Sequence, residues 1–203
     1  RTIRHAGAFE LGVMLPYVFR MAREGKEAQR DPLVRRALEE AYQGLAQYLP
    51  RLPLKRGATP LRLAPSYEDL YFDLATRADY DDFWKNPSHN LEEHIDRYPD
   101  VPVFLVTSWY GHHPWATVQK FMELRRRLTA PVRLLIGVWL HGWEVLGESH
   151  AGDVDFGQEA ALENANDLRL RFFDEHLKGL HTGVLDGPPV RLFVMGGGDG
   201  RRT

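Results

Sequence analysis

The sequence predicts an α/β fold organised on a parallel sheet, and three observations carry that expectation. Two short apolar runs, Val103 to Thr107 and Val132 to Gly137, have the character of buried parallel strands. Between them a helix-forming stretch opens at Pro114 and closes near the basic run Arg125 to Arg127. Strand, helix and strand within about 35 residues is the length of a βαβ unit, whose crossover is right-handed and whose loops leave the carboxyl ends of the strands.

The elements follow in order. Phe9 to Arg23 places apolar residues at near-helical spacing around Pro16, and Asp31-Pro32 supplies an N-cap with proline at the first helical position, opening a helix through Leu45. Pro50, Pro53, Pro60 and Pro65 punctuate a loop-rich passage, after which Ser66 can cap a short helix over Tyr67 to Leu74. Tyr71, Phe72, Tyr80, Phe83 and Trp84 are expected to pack a small helical subdomain rather than line a pocket. Beyond the βαβ unit a longer helix is expected from about Gln158 to Lys178, stopped by Gly179 and laid on the sheet through Leu162, Leu168, Leu170, Phe172, Phe173 and Leu177. Pro188-Pro189 then breaks the chain before a strand from Val190 to Met195, read as opening a different domain.

Composition narrows the function. The 203 residues are 43% hydrophobic and 27% charged, an ordinary globular balance. A net charge of -2 offers no basic field to track phosphates, so nucleic acid is not an expected partner. There is no cysteine, which removes thiolate metal sites and a thiol nucleophile. No apolar run approaches the roughly 18 residues that span a bilayer, so no membrane partner is expected. Cytoplasm is the default location, with secretion left open. Neither an initiator methionine nor a terminating element is present, and both ends read as cuts.

Both loops at the carboxyl ends of the two strands carry reactive side chains. One is Ser108-Trp109-Tyr110-Gly111-His112-His113, the other Trp139-Leu140-His141-Gly142-Trp143. His141 is the strongest single candidate, because a histidine just past a strand, with a glycine to turn the backbone, can serve as a general base. Such a base needs a third group on its other ring nitrogen to fix the tautomer and stabilise the imidazolium. A satisfied structural histidine is the competing reading.

A metal site drawn from His112, His113, His141 and His150 is disfavoured: no H-E-x-x-H spacing exists, and adjacent histidines diverge on an extended backbone. His5, His89, His94, His176 and His181 read as surface or helix residues, and Gly196-Gly197-Gly198 as a turn rather than a phosphate cradle.

Five segments, in order, carry a resemblance to a known family. They are Gly7-Ala8-Phe9-Glu10-Leu11-Gly12, Val101-Pro102-Val103 followed by Trp109-Tyr110, Ile136-Gly137-Val138-Trp139-Leu140-His141-Gly142, Gly152-Asp153-Val154-Asp155-Phe156-Gly157 and Pro188-Pro189-Val190-Arg191-Leu192-Phe193-Val194-Met195-Gly196. Together they resemble the cocaine-esterase-like and X-Pro dipeptidyl-peptidase-like α/β-hydrolases.

The resemblance implies part of an α/β-hydrolase sheet with an inserted helical cap and the first strand of a C-terminal β jelly roll. The boundaries it implies are 1–12 for the end of the hydrolase N-terminal half, 13–98 for the cap, 99–183 for the hydrolase C-terminal half and 188–203 for the start of the jelly roll. It further implies a serine hydrolase that cleaves an ester or amide by acyl transfer on a small-molecule ester or peptide substrate. No cofactor is implied, and there is room for a homo-oligomer.

In that family the W-x-H-G loop supplies the histidine, which falls on His141, and the W-Y-D loop supplies the acid. Here Gly111 stands where that acid should follow Trp109-Tyr110, and glycine cannot orient an imidazole. Disabling the acid of a serine protease costs roughly 10⁴-fold in kcat. Asp153, Asp155 and Glu144 are substitutes the family pattern does not support.

A G-x-S-x-G elbow is absent around Ser66, Ser88, Ser108 and Ser149. Gly147-Glu148-Ser149-His150-Ala151 comes nearest but follows His141 and no strand precedes it, so Ser149 reads as a loop residue. The nucleophile is therefore expected upstream of Arg1. The alternative is a hydrolase-fold binding protein that has lost catalysis, with Gly111 as a genuine substitution. A metal-dependent hydrolase is a third class, which stoichiometric zinc would identify.

Overall fold

The computed structural model describes residues 3–5, 7–88, 90–142, 147–162 and 164–196. The chain divides into two compact units, Arg1–His89 and Asn90–Thr203.

The first unit is helical, apart from a two-residue hairpin of β1 (Arg4–His5) and β2 (Ala8–Phe9). Helix α1 (Leu11–Glu24) runs through Pro16 and buries Met14, Leu15, Val18, Phe19 and Ala22, the one-sided spacing that the apolar pattern anticipates. After α2 (Lys26–Arg30), helix α3 (Pro32–Gln43) begins as expected: the Asp31 carboxylate accepts the Leu33 N–H at 2.8 Å and Pro32 takes the first helical position.

Helix α4 (Pro65–Thr76) starts one residue before Ser66, with proline again leading, and α5 (Asp82–Lys85) is a single turn capped by Asp81. The core of this unit joins Leu15, Phe19, Leu38, Tyr48, Leu61 and Tyr71, with Phe19 stacked on Tyr48 at 5.7 Å. Of the five aromatic residues, only Tyr71 is buried, beside Phe72 and Phe9; Tyr80 is 54% exposed.

The second unit contains the βαβ unit. Strand β3 (Val103–Ser108) pairs in parallel with β4 (Val132–Gly137), residue for residue from Val103 with Val132 to Ser108 with Gly137. Helix α6 (Pro114–Arg127) connects them and closes a core of Val103, Phe121, Leu124, Val132, Leu134 and Ile136.

At the opposite end of the strands, the Asp100 carboxylate accepts the backbone N–H groups of Thr129 and Ala130 at 3.0 and 2.9 Å, and the Thr129 hydroxyl as well. This fastens the two strand entries together.

Two expectations are corrected. The long helix begins later than Gln158: a 3-10 turn at Gln158–Ala160 precedes α7 (Ala165–Lys178), whose start is set by the Asn164 side chain accepting the Asp167 N–H at 3.0 Å. Helix α7 approaches β3 through Phe172 and Phe104, 5.7 Å apart, while Leu170, Phe173 and Leu177 are exposed rather than packed on the sheet.

The run from Val190 was expected to open a separate jelly roll. Instead β7 (Val190–Leu192) pairs in parallel with β4, giving the sheet order β3-β4-β7. Pro188-Pro189 is compatible with this because the missing donor lies before the strand, while the Pro189 carbonyl accepts the Leu134 N–H at 2.9 Å. The Arg133 guanidinium holds the approach to β7 by donating to the carbonyls of Gly187, at 2.7 Å, and Leu185. A further hairpin, β5 (His150–Ala151) with β6 (Val154–Asp155), has no periodic signature in the sequence.

Candidate active site

Ser108 and Gly137 are the last residues of two adjacent parallel strands and are paired, so the loops after them leave the sheet side by side. The junction is tightened by the Trp109 N–H, which donates to the Gly137 carbonyl at 2.8 Å, and by the Trp109 indole, which donates to the Phe193 carbonyl at 2.7 Å. On the β4 side, the buried Trp139 ring folds back onto Gly137, where a Cβ would come within 2.3 Å of ring atoms. This reversal carries the chain over the strand end, and Gly142, at a φ of +86°, turns it again after His141.

The result is a small cleft of about 110 Å³ at the carboxyl end of β3, lined by Val106, Thr107, Ser108, Gly111, His113 and His141. His141 is exposed and stands 5.1 Å, ring centre to ring centre, from His113 with the planes at 74°. His112 is 6.1 Å from His141 and 6.2 Å from His113. Burial holds the His113 imidazole below its ordinary protonation range, and the nearby His141, His112 and Lys120 push in the same direction.

Gly111 faces the same cleft, and a Cβ there would lie 2.8 Å from the Ser108 Oγ. The buried Ser108 hydroxyl thus occupies the space into which a side chain at 111 would emerge.

The other sequence candidates are elsewhere or already engaged. Asp155 accepts from the Ser149 hydroxyl at 2.8 Å and from the Gly157 N–H at 3.0 Å, and these bonds hold its carboxyl below the usual range. It forms no ion pair or hydrogen bond with His141, nor does Asp153 at the turn of the same hairpin. His150 contacts Glu148 at 3.3 Å. Glu144, Trp143, His89, Gly197 and Gly198 lie outside the described residues. Among the described residues no group of histidine and carboxylate side chains converges to hold a metal, and no helix is long and apolar enough to cross a membrane.

Ser108 and His113 also line this cleft, and the sequence signal for both is their closeness to Gly111 in the loop that follows β3.

A model of the X-Pro dipeptidyl-peptidase (S15 family) matches residues 2–143, most of the chain. Cocaine esterase of Rhodococcus sp. (strain MB1 Bresler) is 31% identical over 98 residues, which is 47% of this chain and 16% of that protein. A Mycobacterium bovis protein named "Putative serine esterase" is 30% identical over 96 residues, 46% of this chain and 14% of its own length. A Mycobacterium tuberculosis protein, also named "Putative serine esterase", matches to the same extent. The matched stretch is thus a small part of each relative's length.

Proposed function

Because the chain belongs to the X-Pro dipeptidyl-peptidase (S15) family, we propose that it supplies the histidine side of a serine hydrolase centre that cleaves an ester or amide bond by acyl transfer. The observation that carries this reading is the position of His141 on a cleft at the carboxyl end of a parallel strand, where open α/β sheets bind ligands. In the proposed reaction, His141 takes the proton of a serine hydroxyl as its oxygen attacks the substrate carbonyl. It then returns that proton to the leaving group, and repeats the cycle with water to release the acyl group.

No G-x-S-x-G elbow is found in the 203 residues, so this reading assigns the nucleophile and the oxyanion donors to polypeptide beyond them, and the chain by itself is expected not to turn over. A small ester or peptide is the proposed substrate class, in keeping with the names of the relatives.

The test compares the protein from the complete reading frame with its His141→Ala variant on an activated ester. The expected loss is at least about 10²-fold in kcat/KM, the scale of a lost general base. Equal rates would sink the assignment of His141. Gly111 favours a second reading, a hydrolase-fold binding protein without catalysis. It predicts that the unaltered protein shows no esterase activity above the His141→Ala variant while still binding ester analogues.

A further inference from the structure

Resting on the hydrolase reading of His141, we propose that His113 is the positioning residue for His141, its neutral imidazole accepting the ring N–H that a carboxylate at position 111 would otherwise receive. Three observations lead here. Gly111 offers no side chain, and the place where one would emerge is filled by the buried Ser108 hydroxyl, 2.8 Å from the would-be Cβ. Among the described residues, the ring nearest to His141 is that of His113, at 5.1 Å and 74°. That separation suits an N–H···N bond of about 3 Å between two five-membered rings, and a ring rotation converts the present edge contact into that bond. Such catalytic hydrogen bonds are often long until substrate binds.

His113 also has the protonation state that the role requires. It is half-buried, and its charged form is disfavoured first by that burial and then by the neighbouring His141, His112 and Lys120 side chains. A neutral imidazole has one lone pair for the His141 N–H, whereas an imidazolium has none. When His141 takes a proton from the nucleophile, its other N–H stays on His141 and points at His113. The pair then carries one positive charge, and no electron transfer is involved. A neutral acceptor fixes the tautomer as a carboxylate does but stabilises the cation less, so the proposed pair is a slower device than an acid–histidine pair.

Nitrogen-15 spectra of the histidine rings, recorded against pH on the protein and its variants, test this directly. His141 is expected as a single tautomer, with His113→Phe mixing the tautomers and lowering the His141 midpoint by about half a pH unit or more. His113→Gln, which restores an acceptor, is expected to return both readouts toward the original. A mixed His141 tautomer in the unaltered protein overturns the proposal without any variant, and so does an unchanged midpoint in His113→Phe. Neither result touches the hydrolase reading, which falls only on full activity of His141→Ala.

Discussion

The Trp139 indole lies directly on Gly137, with ring atoms as near as 2.3 Å to where a β-carbon would be. A glycine at the end of β4 is therefore a packing requirement of the tryptophan two residues later, and together they set where His141 emerges. Gly137→Ala is expected to force the indole out of a 3% exposed site. Overpacking of this kind costs about 1–3 kcal/mol. Urea unfolding followed by tryptophan fluorescence measures it; a midpoint unchanged from the unaltered protein contradicts the packing account.

On the proposed hydrolase reading, Gly111→Asp alone is expected to add little esterase activity, because its Cβ collides with the Ser108 hydroxyl. Ser108→Gly combined with Gly111→Asp clears that space and is expected to exceed both the single variant and the starting protein in esterase rate. The ceiling on the gain is the roughly 10⁴-fold value of a triad acid. A double variant no faster than Gly111→Asp would show that the hydroxyl is not the obstacle.

Stability of the second unit should fall in acid partly through Asp100. Its bond from the Thr129 hydroxyl, with the Ala130 and Thr129 N–H groups, holds its carboxyl below the ordinary range. A depressed folded value means that the contribution is complete above the unfolded value of about 3.9 and is lost as pH drops through the folded one. Asp100→Ala should therefore lower the urea midpoint at neutral pH, and the difference from the parent should shrink below about pH 4. A gap that stays constant with pH argues against the carboxylate.

Leu38→Ala, at a site with no exposure in the helical unit, is expected to cost about 2–5 kcal/mol. Leu177→Ala, at 78% exposure on α7, should stay within about 0.5 kcal/mol. Thermal unfolding of the two variants separates a core leucine from one that merely shares helical spacing with the core.

That contrast marks where the sequence was legible. The βαβ unit could be read because its strands are continuous apolar runs and its helix is bounded by Pro114 and the arginines. Asp31-Pro32 fixed a helix start because its chemistry is local. Helical spacing in α7 revealed a stripe through Leu170, Phe173 and Leu177, but spacing says nothing of whether a stripe is covered.

In the cleft, His141 and Gly111 were visible from the sequence. The nearness of His113 was not, because the divergence argued for adjacent histidines assumes extended backbone. His113 instead has φ −114° and ψ −1°, at the turn into α6. The Ser108 hydroxyl under Gly111 is a relation across a loop that no spacing encodes.

Arg133 has a consequence for how the third strand finds its place. Three residues make too few backbone pairs to choose among neighbouring alignments, and a slip by one would send Val190 and Leu192 to the opposite side of the sheet. By gripping the carbonyls of Leu185 and Gly187, the β4 arginine measures out the chain ahead of that strand. The length of the Leu185–Pro189 segment is thereby a ruler, and adding or removing a single residue there would misalign the strand without touching it.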